Sequence, residues 1–271
     1  MAKKKYEEAN IQAIAETIRE KTGTENTYDT SEMASGVTEV YEAGKQKEWS
    51  DFWDLFQQNG TRKNYNYACY QDAGHPVNNK FWTDANFKPK YDIKPTTANR
   101  GFMGLSVTDF VKCLDDMGVE FDLSQCGYMP NIFAKVLTWR LPILDLSKTR
   151  TISSLVAYSY SLKKISKIIW GENITEANGS FRDCAVLAEF ESEGTLAISV
   201  SFASCPLTVE TMKGLIRCLK NYAGTDSEGT YTLTLKDECK TALQADTETV
   251  ELDGVSYTYF ELITAKGWNL A

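Results

Sequence analysis

Through the middle of the chain the apolar positions recur every third residue. Phe181, Cys184, Leu187 and Phe190 define the frame. Val156, Ser159, Leu162 and Ile165 repeat it, with Val and Ser in place of Phe and Cys, and Phe202 with Cys205 opens a further copy that ends in Pro206-Leu207. Phe133-Ala-Lys-Val136 and Phe102-Met-Gly-Leu105 are looser copies upstream. The leading residues follow one another at intervals of roughly twenty to thirty positions, the range in which repeat architectures fall. A unit of that length cannot bury its apolar face alone, so such units stack and share one core. The predicted interior consists of Phe102, Phe133, Val156, Leu162, Phe181, Cys184, Leu187, Phe202 and Cys205. The short apolar runs Ile143-Leu144-Asp145-Leu146 and Ile165 to Ile169 predict parallel strands, one per unit. Asn173, Asn178 and Gly179 mark turns between them.

The flanks follow other periods. Residues 6–22 read as a helix with an apolar stripe of Ile11, Ile14 and Ile18, stopped at Gly23. Asp29 and Glu32 are spaced as a capping box for a second helix. Its stripe is Met33, Val37, Val40 and Tyr41, and it runs on toward Trp49, Phe52, Trp53 and Phe56. Between 59 and 99 the chain is polar and aromatic, with Tyr65, Tyr67, Tyr70, Phe81, Trp82, Phe87 and Tyr91. Pro76, Pro89 and Pro95 exclude a long helix there. Short strands and ordered loops are expected, either as a packed cap or as a carbohydrate or protein contact surface.

After Pro206, Thr208 is placed to cap a helix bearing Val209, Met212, Ile216 and Leu219 that ends before Gly224. Tyr231 to Leu235 alternates as a strand, and Lys236 to Leu243 reads as a short helix. Val250 to Leu252 and Val255 to Tyr257 flank Asp253-Gly254 as a hairpin. Tyr259 to Ala265 reads as a last helix, stopped by Gly267, and Trp268 to Ala271 as a closing strand. The expected fold class is α+β: a leucine-rich-repeat-like solenoid over 101–207, preceded by a helical hairpin (1–58) and an aromatic, loop-rich cap (59–100), and closed by an α/β capping unit (208–271).

Charge and residue inventory narrow the chemistry. The chain has 271 residues and a net charge of −8, which disfavours nucleic acid as a partner; Lys3-Lys4-Lys5 reads as a solvated tail. No apolar run is long enough for a spanning helix, and no apolar segment follows the charged N-terminus as a secretory signal would require. A reducing cytoplasm is therefore the expected site of synthesis. The seven cysteines include no C-x-x-C pair, so Cys184 and Cys205 read as small core residues rather than disulfide or metal ligands. His75 is the only histidine, in a Gly-His-Pro turn, and there is no G-x-S-x-G elbow, phosphate loop or dinucleotide fingerprint. Asp115-Asp116 reads as a solvated helix end, since adjacent helical positions do not face each other. Asn59-Gly-Thr61, Asn173-Ile-Thr175 and Asn178-Gly-Ser180 match the glycosylation acceptor as chance occurrences. No catalytic residue, cofactor or metal is expected.

Two resemblances bear on function. Phe181-x-x-Cys184-x-x-Leu187-x-x-Phe190 resembles the BspA-type leucine-rich repeat. The tail resembles what often follows such repeats: Pro206-Leu207-Thr208-Val209, a helix, Gly229-Thr-Tyr-Thr-Leu-Thr-Leu235, then Lys266-Gly267-Trp268. The N-terminal half resembles tail and other virion structural proteins of phages infecting Firmicutes-type bacteria. The residues carrying this are Ile14-Ala-Glu-Thr-Ile-Arg-Glu-Lys-Thr-Gly23 with Met33, and Phe87-Lys-Pro-Lys-Tyr-Asp-Ile-Lys-Pro95 with Thr108-Asp-Phe110. The resemblances imply a virion protein of the tail, baseplate or fibre apparatus. Its expected partners are itself, as a homo-oligomer with a trimer favoured, other virion proteins, and a host-surface glycan or protein. The alternatives are a BspA-like bacterial surface adhesin, disfavoured by the missing export signal, and a tail-associated cell-wall glycosidase, disfavoured by the sparse catalytic inventory.

The stripe of Ile11, Ile14, Ile18, Met33, Val37 and Val40 is too shallow to form a core of its own, so self-association or docking is expected through it. The full chain should scatter light as an oligomer and a chain beginning at Asn59 as a monomer. Equal, monomeric masses for both would remove self-association.

Overall fold

The computed structural model describes residues 92–271 apart from Ser106, together with Glu16 and Glu20, which are helical and exposed. The chain divides into two units, Met1–Leu55 and Phe56–Ala271, and residues 92–271 belong to the second. The expected N-terminal helices, with Ile11, Ile14, Ile18, Met33, Val37 and Val40, lie outside the described residues, as do His75 and the aromatic positions from Tyr65 to Tyr91.

The architecture is mixed α/β with small parallel sheets. The first sheet holds β1 (Arg140–Asp145), β2 (Lys164–Trp170) and β3 (Glu189–Gly194) in that order, all parallel. Leu141 pairs with Ile165 and Lys164 with Glu189, so each strand lies one repeat after the last. Leu141, Leu144, Ile165, Ile168 and Phe190 point inward.

A second ladder runs through the leading residues. The N–H groups of Phe102, Phe133 and Val156 donate to the carbonyls of Ile132, Leu155 and Ser180 at 2.8, 2.9 and 2.9 Å. Two residues earlier, Arg100, Asn131 and Ser154 donate to Pro130, Ser153 and Asn178; two residues later, Gly104, Lys135 and Tyr158 donate to Ala134, Ala157 and Arg182. The backbone conformation repeats with the bonds. Arg100, Asn131, Ser154 and Gly179 have positive φ, and so do Gly104, Lys135, Tyr158 and Asp183, each four residues further on. Left-handed conformations are uncommon outside glycine, yet here six of these eight corners carry other residues. The inter-layer bonds between the corners hold them there.

Helix α1 (Phe110–Met117) lies between the layers led by Phe102 and Phe133 and explains the longest interval in the repeat. The Asp109 carboxylate caps it by accepting from the Lys112 N–H at 3.0 Å, and Gly118 ends it at φ 63°.

Phe102, Phe133, Val156, Leu162, Phe181, Cys184, Leu187, Phe202 and Cys205 are all fully buried. Their rings form two clusters on either side of Val156. Phe102 stacks on Phe133 with centroids 5.3 Å apart and also meets Phe110 and Phe121. Phe181 stacks on Phe202 at 4.3 Å, with Phe190 beside both. In the last three copies the position three residues after the leader has a polar task. Ser159 Oγ donates to the Phe133 carbonyl at 3.1 Å, Cys184 Sγ to the Val156 carbonyl at 3.1 Å, and Cys205 Sγ to the Phe181 carbonyl at 3.6 Å. Ser and Cys are thus equivalents: small enough for the core and able to satisfy a buried carbonyl.

A second parallel sheet is made by β4 (Val200–Phe202), β5 (Thr232–Leu235) and β8 (Asn269–Leu270). Around it lie α2 (Val209–Cys218), α3 (Asp237–Ala245) and α4 (Tyr259–Ala265). Thr208 caps α2 through the Thr211 N–H, and Thr258 with Glu261 forms a capping box on α4. The antiparallel hairpin β6 (Thr249–Leu252) and β7 (Val255–Thr258) turns at Asp253 and Gly254, both left-handed, as a two-residue hairpin loop requires.

Phe181→Ala should cost about 3–5 kcal/mol in denaturant unfolding, as the ring fills the centre of a stacked cluster. Cys184→Ser should stay within about 1 kcal/mol of the parent. Cys184→Val keeps the packing but leaves the Val156 carbonyl unpaired, and should cost about 1–3 kcal/mol. Equal stability of the Ser and Val variants would show that the thiol acts by volume alone.

Candidate functional site

The chemistry-bearing side chains concentrate where β3 meets α2. A groove of about 580 Å³ runs between them, lined by Lys164, Glu189, Glu191 and Glu193 on the sheet side and by Glu210, Thr211, Gly214 and Arg217 on the helix side. Strand alternation puts Glu189, Glu191 and Glu193 on one face while Phe190 turns into the core. These carboxylates are matched from the neighbouring strand: Lys164 meets Glu189 at 3.0 Å, and Lys167 meets Glu193 at 2.5 Å and Glu191 at 3.7 Å. Cross-strand pairs of this kind fix register more than they add stability.

Behind the groove, Lys213 on α2 is buried, with only 4% of its side chain exposed. Its ammonium lies 2.8 Å from Asp246, 2.7 Å from Glu248 and 3.3 Å from Glu210, and sits over the Tyr259 ring. Asp246, then Glu248, hold the Lys213 ammonium protonated well above its ordinary range, and the ammonium in turn holds the Asp246 carboxyl below its ordinary value. Lys266 is a second buried cation with a different role. Its Nζ donates to the carbonyls of Ile216, Arg217 and Leu219 at 3.0, 2.8 and 2.8 Å and so caps the C-terminus of α2. Gly267 beside it has φ +78°, and any Cβ there would lie 2.9 Å from the backbone of Tyr222 and Ala223. Trp268 then donates its indole N–H to the Lys220 carbonyl. The Lys266-Gly267-Trp268 motif is therefore the device that locks α2 to the closing strand.

Five of the six described thiols are held in the protonated form, and the sixth, Cys184, is lowered by its hydrogen bond with Cys205 but is fully buried. Burial pushes Cys126 up to about 12 and raises Cys113, Cys218 and Cys239; hydrogen bonding to Cys184, together with burial, raises Cys205. Among the described residues no group of three or more His, Cys, Asp or Glu side chains is placed to share a metal ion. Asp115 and Asp116 are exposed on α1, and Asp116 pairs with Lys112 at 2.6 Å. A second groove of about 290 Å³ is lined mainly by neutral hydroxyls and an amide, among them Thr175, Asn178, Ser199, Ser201, Thr232 and Thr234. No described helix is long and apolar enough to cross a membrane. The nine interior residues named from the sequence come together as core, not as a site; β3 and the two buried lysines were missed, because polar strands and buried cations leave no periodic apolar mark.

The Asp246 carboxyl is depressed in the folded state, so its contribution is present above the ordinary value of 3.8 and is lost as pH falls through the depressed one. The thermal midpoint should therefore drop on acidification below about pH 4, and Lys213→Met should make that limb shallower. Identical limbs in the two proteins would show that the Lys213 cluster contributes no pH-dependent stability.

Compared with protein-family models, with curated proteins and with solved structures, the chain gives no match.

Proposed function

We propose that this chain is a structural protein of a bacteriophage virion, belonging to the tail, baseplate or fibre apparatus, and that it acts by assembly and surface contact rather than by catalysis. Its body over 101–207 is, in this reading, a leucine-rich-repeat-like solenoid closed by the unit 208–271. The observation that carries the reading is the repeat itself. The same three inter-layer hydrogen bonds and the same pair of left-handed corners recur from Arg100 to Asp183, around one continuous core. Such a stack is a rigid presenting surface, and its outward side chains are free to vary without disturbing the interior. The resemblance of residues 14–33 and 87–110 to phage virion proteins supplies the biological setting. Self-association, with a trimer favoured, and contact with other virion proteins and with the host surface belong to the same proposal.

Mass spectrometry of purified particles tests it. The chain should be present at a copy number matching a tail or fibre component and should remain through density-gradient purification. Abundant chain in infected cells with none in the particles would overturn the reading.

A further inference from the structure

Seven large apolar side chains are exposed among the described residues, and four of them, Leu137 (57%), Trp139 (37%), Tyr160 (63%) and Val186 (36%), lie on the outer surface of adjoining segments. That surface is made by the three stacked segments that lead into β1, β2 and β3. The segments are tied in order: the Val136 N–H donates to Ser159 Oγ at 3.2 Å, the Lys163 N–H to the Trp139 carbonyl at 2.8 Å, and the Ala188 N–H to the Lys163 carbonyl at 3.0 Å. Each segment alternates. Val136 and Thr138 are buried between exposed Lys135, Leu137 and Trp139; Ser159 and Leu162 are buried beside exposed Tyr160 and Lys163; Cys184 and Leu187 are buried beside exposed Arg182 and Val186. The exposed groups therefore line up across three layers.

Two features give this surface a chemistry. The first is a fixed aromatic ring. The Arg140 guanidinium lies 4.9 Å from the Trp139 ring centroid, and Arg140 Nε is itself held by the Asp109 carboxylate at 2.7 Å. An aromatic side chain already immobilised loses little entropy on binding. The second is charge. Among the described residues Lys135 and Lys163 make no ion pair, and the Arg182 guanidinium donates to the Tyr158 hydroxyl, with Asp183 beside it but outside ion-pair range. On a chain with a net charge of −8, this is a local excess of unpaired cations next to an apolar row.

We infer that this surface binds an acidic polysaccharide, with sugar rings stacked on Trp139 and Tyr160 and the anionic groups paired with Lys135, Lys163 and Arg182. Layers in a parallel ladder are about 4.8 Å apart, so the surface offers its groups at a repeat close to the length of one pyranose ring. A repeating polymer fits that spacing better than a protein surface does. The inference rests on the host-contact part of the proposed function and names the class of ligand.

The test uses the purified full chain and follows tryptophan fluorescence on titration with polygalacturonate and dextran sulfate, with neutral dextran and polyglutamate as controls. At least one acidic polysaccharide should bind in a salt-sensitive manner, and both controls should bind at least tenfold more weakly. Tyr160→Ser and Lys163→Glu should each weaken binding tenfold or more without moving the thermal midpoint. Three results would overturn the inference: no binding to either acidic polysaccharide, equal binding to polyglutamate, or unchanged binding in both variants. So would a Tyr160→Ser chain that loses self-association while keeping its polysaccharide affinity. None of these results bears on whether the chain is found in particles, so the two readings fail separately.

Discussion

The structure depends on how each layer disposes of its own peptide groups. A residue that leads a layer turns its side chain into the core, and its backbone N–H and carbonyl are drawn in with it. A buried peptide group without a partner costs about as much as a lost hydrogen bond. The N–H is met by the next layer, as Val156 is by Ser180. The carbonyl needs a donor small enough to sit inside, and Ser159, Cys184 and Cys205 supply it to Phe133, Val156 and Phe181. In these three layers one requirement accounts for the choice of Ser or Cys at the third position, where the layers led by Phe102 and Phe133 carry Leu105 and Val136 instead. It also requires a following layer, because the donor comes from the next repeat along the chain.

The same requirement explains what could be read from the sequence and what could not. The offset of three was legible because both of its positions are buried and one is large and apolar. β2 was legible for the same reason, with Ile165, Ile168 and Trp170 all inward. β3 was not: its outward positions carry Glu189, Glu191 and Glu193, and Phe190 is its only fully inward apolar side chain. Lys135 and Tyr158 carry no local signal for a left-handed corner, which the inter-layer bonds impose on them. The surface bearing Trp139 and Tyr160 was equally hidden. In the sequence those residues sit among buried Val136, Ser159 and Leu162, and only the alignment of layers sorts the inward from the outward.

The segment after Leu207 meets a different demand. α2 takes the place beside β3 that a fourth strand would occupy, and a helix of ten residues is held there by two buried ammonium groups. Lys213 is matched by carboxylates from α2 itself and from the segment before β6. Lys266 is matched by carbonyls alone, at the helix end where the macrodipole favours a cation. Burial lowers the Lys266 ammonium from its ordinary range, yet three carbonyl acceptors at the helix end keep it in place. Neither lysine could be exchanged for an apolar residue of similar length without leaving several polar groups unmatched.

Beyond the core, two outward surfaces are treated in opposite ways. On the sheet face, Lys164 and Lys167 are matched to Glu189 and Glu193 across neighbouring strands. A surface whose charges are already paired gains little from a charged partner, because those pairs must be broken or left in place. On the adjoining segments the pairing stops. Arg140, held by Asp109, lies over Trp139, while among the described residues Lys135 and Lys163 have no carboxylate partner and Leu137 and Tyr160 are exposed. Both surfaces come from the same repeats, so folding does not require the difference: Tyr160 could carry a polar side chain without disturbing Ser159 or Leu162 beneath it. Apolar area and cations without described partners, which the fold does not require, support the proposed binding surface, and the strands beside these segments hold them in register.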